Sequence, residues 1–173
     1  ISACLVGSEM CIRDRDKIPN PYPGWVFFRR TDRGGAKLPA MKFSQAKNEK
    51  LESMKSRDDL PIKVTGIGTT SLPAGFSCPD AKDCLAKVII NELNKRQIHD
   101  GPDMLFRCFE ATMEAYQTNI YNRNWDNFTM LRDCKNDISK MAEIINAGIQ
   151  QLPRSVNLIR PHIGGDFFSK NYL

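Results

Sequence analysis

The residues best suited to chemistry in this chain of 173 residues are its cysteines, and three of the six fall in two short segments. Ser77-Cys78-Pro79-Asp80-Ala81-Lys82-Asp83-Cys84 carries two of them, and Arg107-Cys108-Phe109-Glu110-Ala111 carries the third. Pro79 suits the first position of a helix, where its missing N–H costs nothing. Asp80 and Asp83 then fall in the first turns, where negative charge is favoured. A thiolate at such a helix start is stabilised by unpaired N–H groups, which suits metal ligation or nucleophilic attack. Cys78, Cys84 and Cys108 are therefore the candidate ligands of a zinc ion or an iron–sulfur cluster with one position left open. Their spacing matches neither the C-x2-C of many zinc sites nor a ferredoxin run. The alternatives are inert thiols packed as small apolar side chains, or a redox or nucleophilic role. Cys134, just ahead of the last helical pattern, reads as structural.

A second polar cluster closes the chain. Arg160, His162 and Asp166 share the exit of one expected strand, and in a β/α protein catalytic groups gather at such exits. His162 suits metal ligation or proton transfer, with Asp166 orienting it or binding a cation. Gly164 and Gly165 permit close backbone approach. These three are the candidate catalytic residues; the alternative is a solvated turn with a packing histidine. The chain carries no phosphate-binding loop, no H-E-x-x-H and no serine-centred elbow.

The elements that must position these residues follow from periodicity. Residues 43–56 are free of proline and predict a short helix. Ile62-Lys63-Val64-Thr65-Gly66-Ile67 alternates as a strand, and Ser71-Leu72-Pro73-Ala74-Gly75 forms the loop to Cys78. Ala81, Cys84, Leu85, Val88 and Ile89 recur at spacings of three and four, which predicts a helix over 79–93. Asp100-Gly101-Pro102 marks a turn, and further helices are expected over 104–114 and 116–133. Asp137 caps a helix through Gln151 with Ile138, Met141, Ile144, Ile145 and Ile149 on its buried face. Val156 to Arg160 is a short strand. The fold class expected from this order is α/β, the helix-rich N-terminal portion of a partial barrel-like β/α domain.

Composition narrows the class. Hydrophobic residues at 41% and charged residues at 26% fit a globular chain rather than a disordered one. No apolar run approaches a membrane span, and the opening residues do not read as a secretory signal, so none is expected there. The net charge of +5 is uneven: residues 1–40 hold seven Lys/Arg against four Asp/Glu, and residues 41–173 hold eighteen against sixteen. The near-neutral body weakens the case for nucleic-acid binding that a basic total would make. Cysteines without an export signal are expected reduced, in the cytoplasm.

Several ordered motifs together carry a resemblance. They are Ser71-Leu72-Pro73-Ala74, Cys78-Pro79-Asp80-Ala81 with Cys84, Asp100-Gly101-Pro102, Arg107-Cys108-Phe109-Glu110-Ala111, the Asn127-Phe128 to Leu131 region, and His162 to Ser169. Together they resemble the phage gene-product-eighty-eight-like family of phage and bacterial proteins, over most of residues 41–173. Pro161 departs from the family pattern by removing a ladder donor at a strand end. The resemblance implies a phage-type protein without naming its reaction. A cysteine-rich front on a β/α body is distantly similar to iron–sulfur radical enzymes, although their cluster spacing is not matched here. Members continue beyond the position of Leu173, which implies a chain truncated at its C-terminus.

The N-terminal stretch is read apart from the rest. Val6 to Asp14 back-translates, over nine successive codons, into the end of a sequencing-library adapter. Residues 1–15 are thus expected to be adapter-derived, in a fragment assembled from environmental DNA, with Cys4 and Cys11 of no biological role. Residues 16–40 are an irregular, proline-punctuated lead-in in which only Trp25-Val26-Phe27-Phe28 suits a strand, and 41–173 are part of a single α/β domain. The function expected is a metal- or iron–sulfur-dependent enzyme of unknown reaction, in the cytoplasm of a host cell. The alternatives are a nucleic-acid-associated phage protein, such as a nuclease or replication accessory, and a structural α/β domain whose cysteines stay unliganded. The partner expected is a small molecule or nucleic acid, with no membrane.

Overall fold

The computed structural model describes residues 39–47, 49–78, 84, 86–101 and 108–172, with the backbone alone of 2–6, 9–13, 26–27 and 50. Strands β1 (Ser2–Val6) and β2 (Glu9–Arg13) pair antiparallel. The central sheet has the order β3-β8-β5-β4, with β3 at Val26–Phe27, β4 at Ser44–Gln45, β5 at Ile67–Thr69 and β8 at Leu158–Arg160. β5 and β8 run parallel, with Ile67, Gly68 and Thr69 opposite Leu158, Ile159 and Arg160; β3 and β4 flank them antiparallel.

This arrangement corrects the expected fold class. The protein is a mixed α/β domain in which strands largely precede the long helices, not the helix-rich front of a β/α barrel, and no closed barrel forms among the described residues. The helix expected over 79–93 accounts for much of the difference. Pro79–Asp83 lie outside the described residues, but Lys87–Ile90 form strand β6, paired antiparallel with β7 (Arg96–His99). The β-branched run Val88-Ile89-Ile90 suits a pleated surface. Asn91 then organises the turn: its Oδ1 accepts from the Leu93 and Lys95 N–H groups at 3.0 and 2.9 Å, and Asn94 takes a left-handed φ of 56°.

The first expected helix is likewise shorter, with α1 at Glu49–Glu52 followed by a 3-10 turn at Ser53–Ser56. The expected strand over 62–67 begins only at Ile67. Residues 63–65 are tied to the chain before β8 by side chains: Asn157 Nδ2 donates to Lys63 O (2.8 Å), and Thr65 N donates to Asn157 Oδ1 (2.9 Å).

The three longer helices are α2 (Phe109–Tyr116), α3 (Thr118–Arg132) and α4 (Ile138–Gln151). Asp137 caps α4, its Oδ1 accepting from Lys140 N at 3.1 Å. Met141, Ile144, Ile145 and Ile149 of α4 are buried, whereas Ile138 is exposed. The alternation of β8 divides the core. Ile159 packs with α3 and α4 residues including Leu131, Ile145 and Ile149, while Leu158 packs with Ile67, Leu51, Met54 and Val64 on the opposite face. Gly68 allows this closeness, since a Cβ there would meet Ile159 Cδ1 at 2.6 Å and Leu152 Cδ1 at 2.9 Å. A third cluster of Ala74, Ala86, Val88 and Ala111 seats α2 on the β6–β7 hairpin.

Candidate functional site

The two parallel strands deliver their exit loops to one place. β5 leads into Thr70–Cys78 and β8 into Pro161–Phe168, and backbone bonds lace the loops together. Ile163 N donates to Thr70 O (3.0 Å), Leu72 N to Gly164 O (2.9 Å) and Asp166 N to Ser77 O (3.0 Å). Gly164 N donates to Ser71 Oγ at 3.2 Å. Gly165 has a φ of 75°, the left-handed backbone that glycine adopts freely.

Helix α2 closes this junction with an inverted surface. Phe109 and Tyr116 are 67% and 80% exposed, whereas Glu110 and Glu114 are 5% and 0% exposed. The two glutamates are one turn apart and converge on Asn124 of α3, whose Nδ2 donates to Glu110 Oε1 at 2.6 Å and to Glu114 Oε1 at 2.8 Å. Glu114 Oε1 also accepts from Ala74 N at 3.3 Å, which ties α2 to the β5 exit loop. Glu110 packs over Gly164, where any Cβ would overlap its side chain. Asn127, one turn after Asn124, donates to Lys42 O (2.9 Å) and Thr70 Oγ1 (3.2 Å) and accepts from Lys42 N (2.7 Å).

Burial pushes the Glu114 carboxyl up to about 7, against the pull of its bonds from Asn124 and Ala74, and the charge of Glu110 adds to the rise. Glu114 Oε2 and Asn124 Oδ1 are buried acceptors with no donor among the described residues. The helix expected over 104–114 is observed from Phe109, its residues 104–107 lying outside the described residues, and periodicity did not single out its carboxylates. The readable signal was Glu110 and Glu114 four apart, bracketing Ala111 on the face that faces inward.

The three candidate catalytic residues lie at the β8 exit. Arg160 ends β8 opposite Thr69. His162 takes a φ of 51°, a costly backbone for a residue other than glycine, of the kind that surrounding structure must hold in place. Its Nε2 lies 3.1 Å from the hydroxyl of buried Tyr172, and its ring meets Phe167 edge-on at 4.5 Å. Its Nδ1 is buried without a partner among the described residues. Burial lowers the His162 pKa to about 4, with Asp166 pulling the other way, so the ring is neutral near pH 7. Asp166 is exposed, and its Oδ1 accepts from Phe167 N at 2.8 Å.

The cysteines do not form the expected metal centre. Cys78, Cys84 and Cys108 are free and half-buried, and Cys134 is free and buried in the main core, its Sγ donating to Met130 O at 3.2 Å. Among the described residues no group of three or more His, Cys, Asp or Glu side chains is placed to hold a metal ion. This overturns the zinc or iron–sulfur site expected at Cys78, Cys84 and Cys108, and with it the metal-enzyme reading. The lowered thiol expected at a helix start is not found at Cys78 either. Burial raises that thiol; a hydrogen bond from the Gly75 backbone opposes the rise, and charge on Cys108, Asp166 and Cys84 adds to it. Cys84 lies outside any helix, and Cys108 stands at the N-cap of α2 without a side-chain capping bond.

A mixed α/β domain with polar loops joined at the exits of two parallel strands is the class these elements define. A family model described as Gene product 88 matches residues 30–173, most of the chain, and the chain belongs to that family. No curated protein and no solved structure matches it. No helix among the described residues is long and apolar enough to cross a membrane.

Proposed function

We propose that this Gene product 88 chain is an α/β domain whose cysteines serve as unliganded packing thiols, with its strand-exit loops organised instead by the Glu110–Glu114–Asn124 knot. The observation that carries this reading is the donor geometry: no three potential ligands converge among the described residues, while two carboxylates and an amide do converge. Single changes Cys78→Ala, Cys84→Ala and Cys108→Ala are expected to lower Tm by a few degrees and leave the near-UV circular dichroism native. A cysteine variant that loses the fold together with a stoichiometric metal would refute the reading. Free thiols fit a reducing compartment, which favours the host cytoplasm.

A second reading rests on His162. A strained, neutral imidazole with one buried nitrogen unpartnered among the described residues, near Asp166 and Arg160 in sequence at parallel-strand exits, suits recognition of a small polar molecule. Ligands that hydrogen-bond there should shift the His162 ring resonances in nitrogen-15 NMR. A panel of carboxylates, phosphates and nucleosides that moves none of them would remove this reading. Nucleic-acid contact draws less support. Lys42, Lys55 and Arg57 are paired with Asp126, Glu52 and Asp59, and Arg96 and Arg132 lie over aromatic rings. We also keep the adapter-derived reading of residues 1–15, on the codon correspondence alone; their removal is expected to leave Tm unchanged, and a loss of several degrees would refute it.

A further inference from the structure

We propose that Glu110 and Glu114 form a proton-operated latch, in which the Asn124 amide and a single proton on the pair hold α2 against both strand-exit loops. Loss of that proton loosens the hold on the Thr70–Cys78 loop. The latch goes beyond the readings above and stands whether or not His162 meets a ligand.

The geometry forces the two carboxyls together. Both accept from the single Nδ2 of Asn124, at 2.6 and 2.8 Å, and both side chains are buried. Neither is ion-paired among the described residues, and none of those residues supplies a cation to offset a second negative charge there. A proton on Glu114 also removes a buried charge whose Oε2 has no donor among the described residues. The raised affinity of Glu114 for a proton agrees with this arrangement.

What the pair holds follows from its other contacts. Glu114 receives the Ala74 N–H of the β5 exit loop, and Glu110 covers Gly164 of the β8 exit loop. When the proton passes to solvent, two neighbouring buried carboxylates share one amide, and their burial and mutual repulsion favour movement of α2 away from the loop, against the pull of the Ala74 N–H, which favours the ionised form. Other charged or titratable groups around α2 come from each neighbouring element. α3 supplies Tyr121, whose hydroxyl is raised by burial and by Glu114, and β7 supplies Arg96, over the Tyr121 ring and bonded to Ala115 O. β6 supplies Lys87, over the Phe76 ring at 5.5 Å. The loops supply Cys78, His162 and Asp166. His162 titrates near 4 and the Cys78 thiol is pushed upward, so neither accounts for a transition near neutrality.

Trp125 reports the loop directly, because Phe76 of that loop meets its ring edge-on at 4.9 Å. Replacing Trp25 by Phe leaves Trp125 as the sole tryptophan of the two in the chain. Its emission, scanned from pH 5.5 to 8.5 with far-UV circular dichroism held native, is expected to change in one step with a midpoint near 7. Glu114→Gln should abolish the step, and Glu110→Gln should move it to lower pH. A step that survives Glu114→Gln, or no step in the folded parent, overturns the latch. Carbon-13 NMR of the glutamate side-chain carboxyls in the unsubstituted protein gives an independent reading should Glu114→Gln fail to fold. One buried carboxyl titrating near 7 supports the latch, and all carboxyls titrating below 5 overturn it.

Discussion

Replacing Glu114 with glutamine should make stability rise with pH where that of the parent is nearly flat. Glu114 binds its proton more tightly in the folded chain, at about 7 against 4.5 in an unstructured one. Its stabilising contribution is therefore complete below about pH 4.5 and is lost as pH rises through 7. His162 has the opposite sign, at about 4 in the fold against 6.5 outside it. Its contribution is complete above about pH 6.5 and is lost as pH falls through 4. Each difference corresponds to about 3 kcal/mol across its window, so in the parent the two slopes nearly cancel between pH 4.5 and 6.5. Glu114→Gln removes the falling limb and leaves stability rising by about 3 kcal/mol from pH 4 to 6.5. His162→Gln does the reverse, leaving stability falling from pH 4.5 to 7. Urea unfolding followed by circular dichroism at half-unit pH steps measures both curves. Parallel curves for the parent and the two variants would refute the burial argument for both groups.

Other outcomes follow from single contacts. Gly164→Ala places a methyl group against Glu110 and should cost about 2 kcal/mol. In a double-mutant cycle with Glu110→Ser the clash should largely disappear, and purely additive losses in urea unfolding would show that the two do not touch. Asn124→Ala removes the donor that two buried carboxyls share and should cost about 3 kcal/mol at pH 8. That loss should be smaller at pH 5, where protonation relieves Glu114. Asp137→Ala removes the α4 cap and should cost about 1 kcal/mol in thermal unfolding.

The sequence was most legible where one local rule dominated. The α4 helix announced itself through the Asp137 cap, the buried isoleucine face and Pro153 beyond the end. The loop at Ser71–Gly75 and the short strand at Leu158–Arg160 were readable from turn residues and β-branched composition. The region 79–93 misled because Ala81, Cys84, Leu85, Val88 and Ile89 recur at helical spacing. The competing signals were the β-branched Val88-Ile89-Ile90 run and two asparagines able to shape a turn, and pairing with Arg96–His99 decided between them.

The site was legible in its segments but not in its chemistry. Of the segments that carry the family resemblance, Ser71–Ala74, the described part of Arg107–Ala111 and His162–Ser169 lie together near the exits of β5 and β8. Cysteines drew attention because their spacing is visible along the chain. Glu110 and Glu114 drew no attention, since burial of a carboxylate is exceptional and depends on partners from other elements, here Asn124 and Ala74. Periodicity alone cannot identify a buried pair whose stabilising donor lies on the next helix.

The most direct test is the metal content of protein purified anaerobically from cells grown with added zinc and iron, alongside a count of reactive thiols after unfolding. The account predicts far less than one equivalent of either metal, and Cys78, Cys84 and Cys108 all recovered as free thiols. One full equivalent of bound metal, lost in both Cys78→Ala and Cys108→Ala, would contradict it.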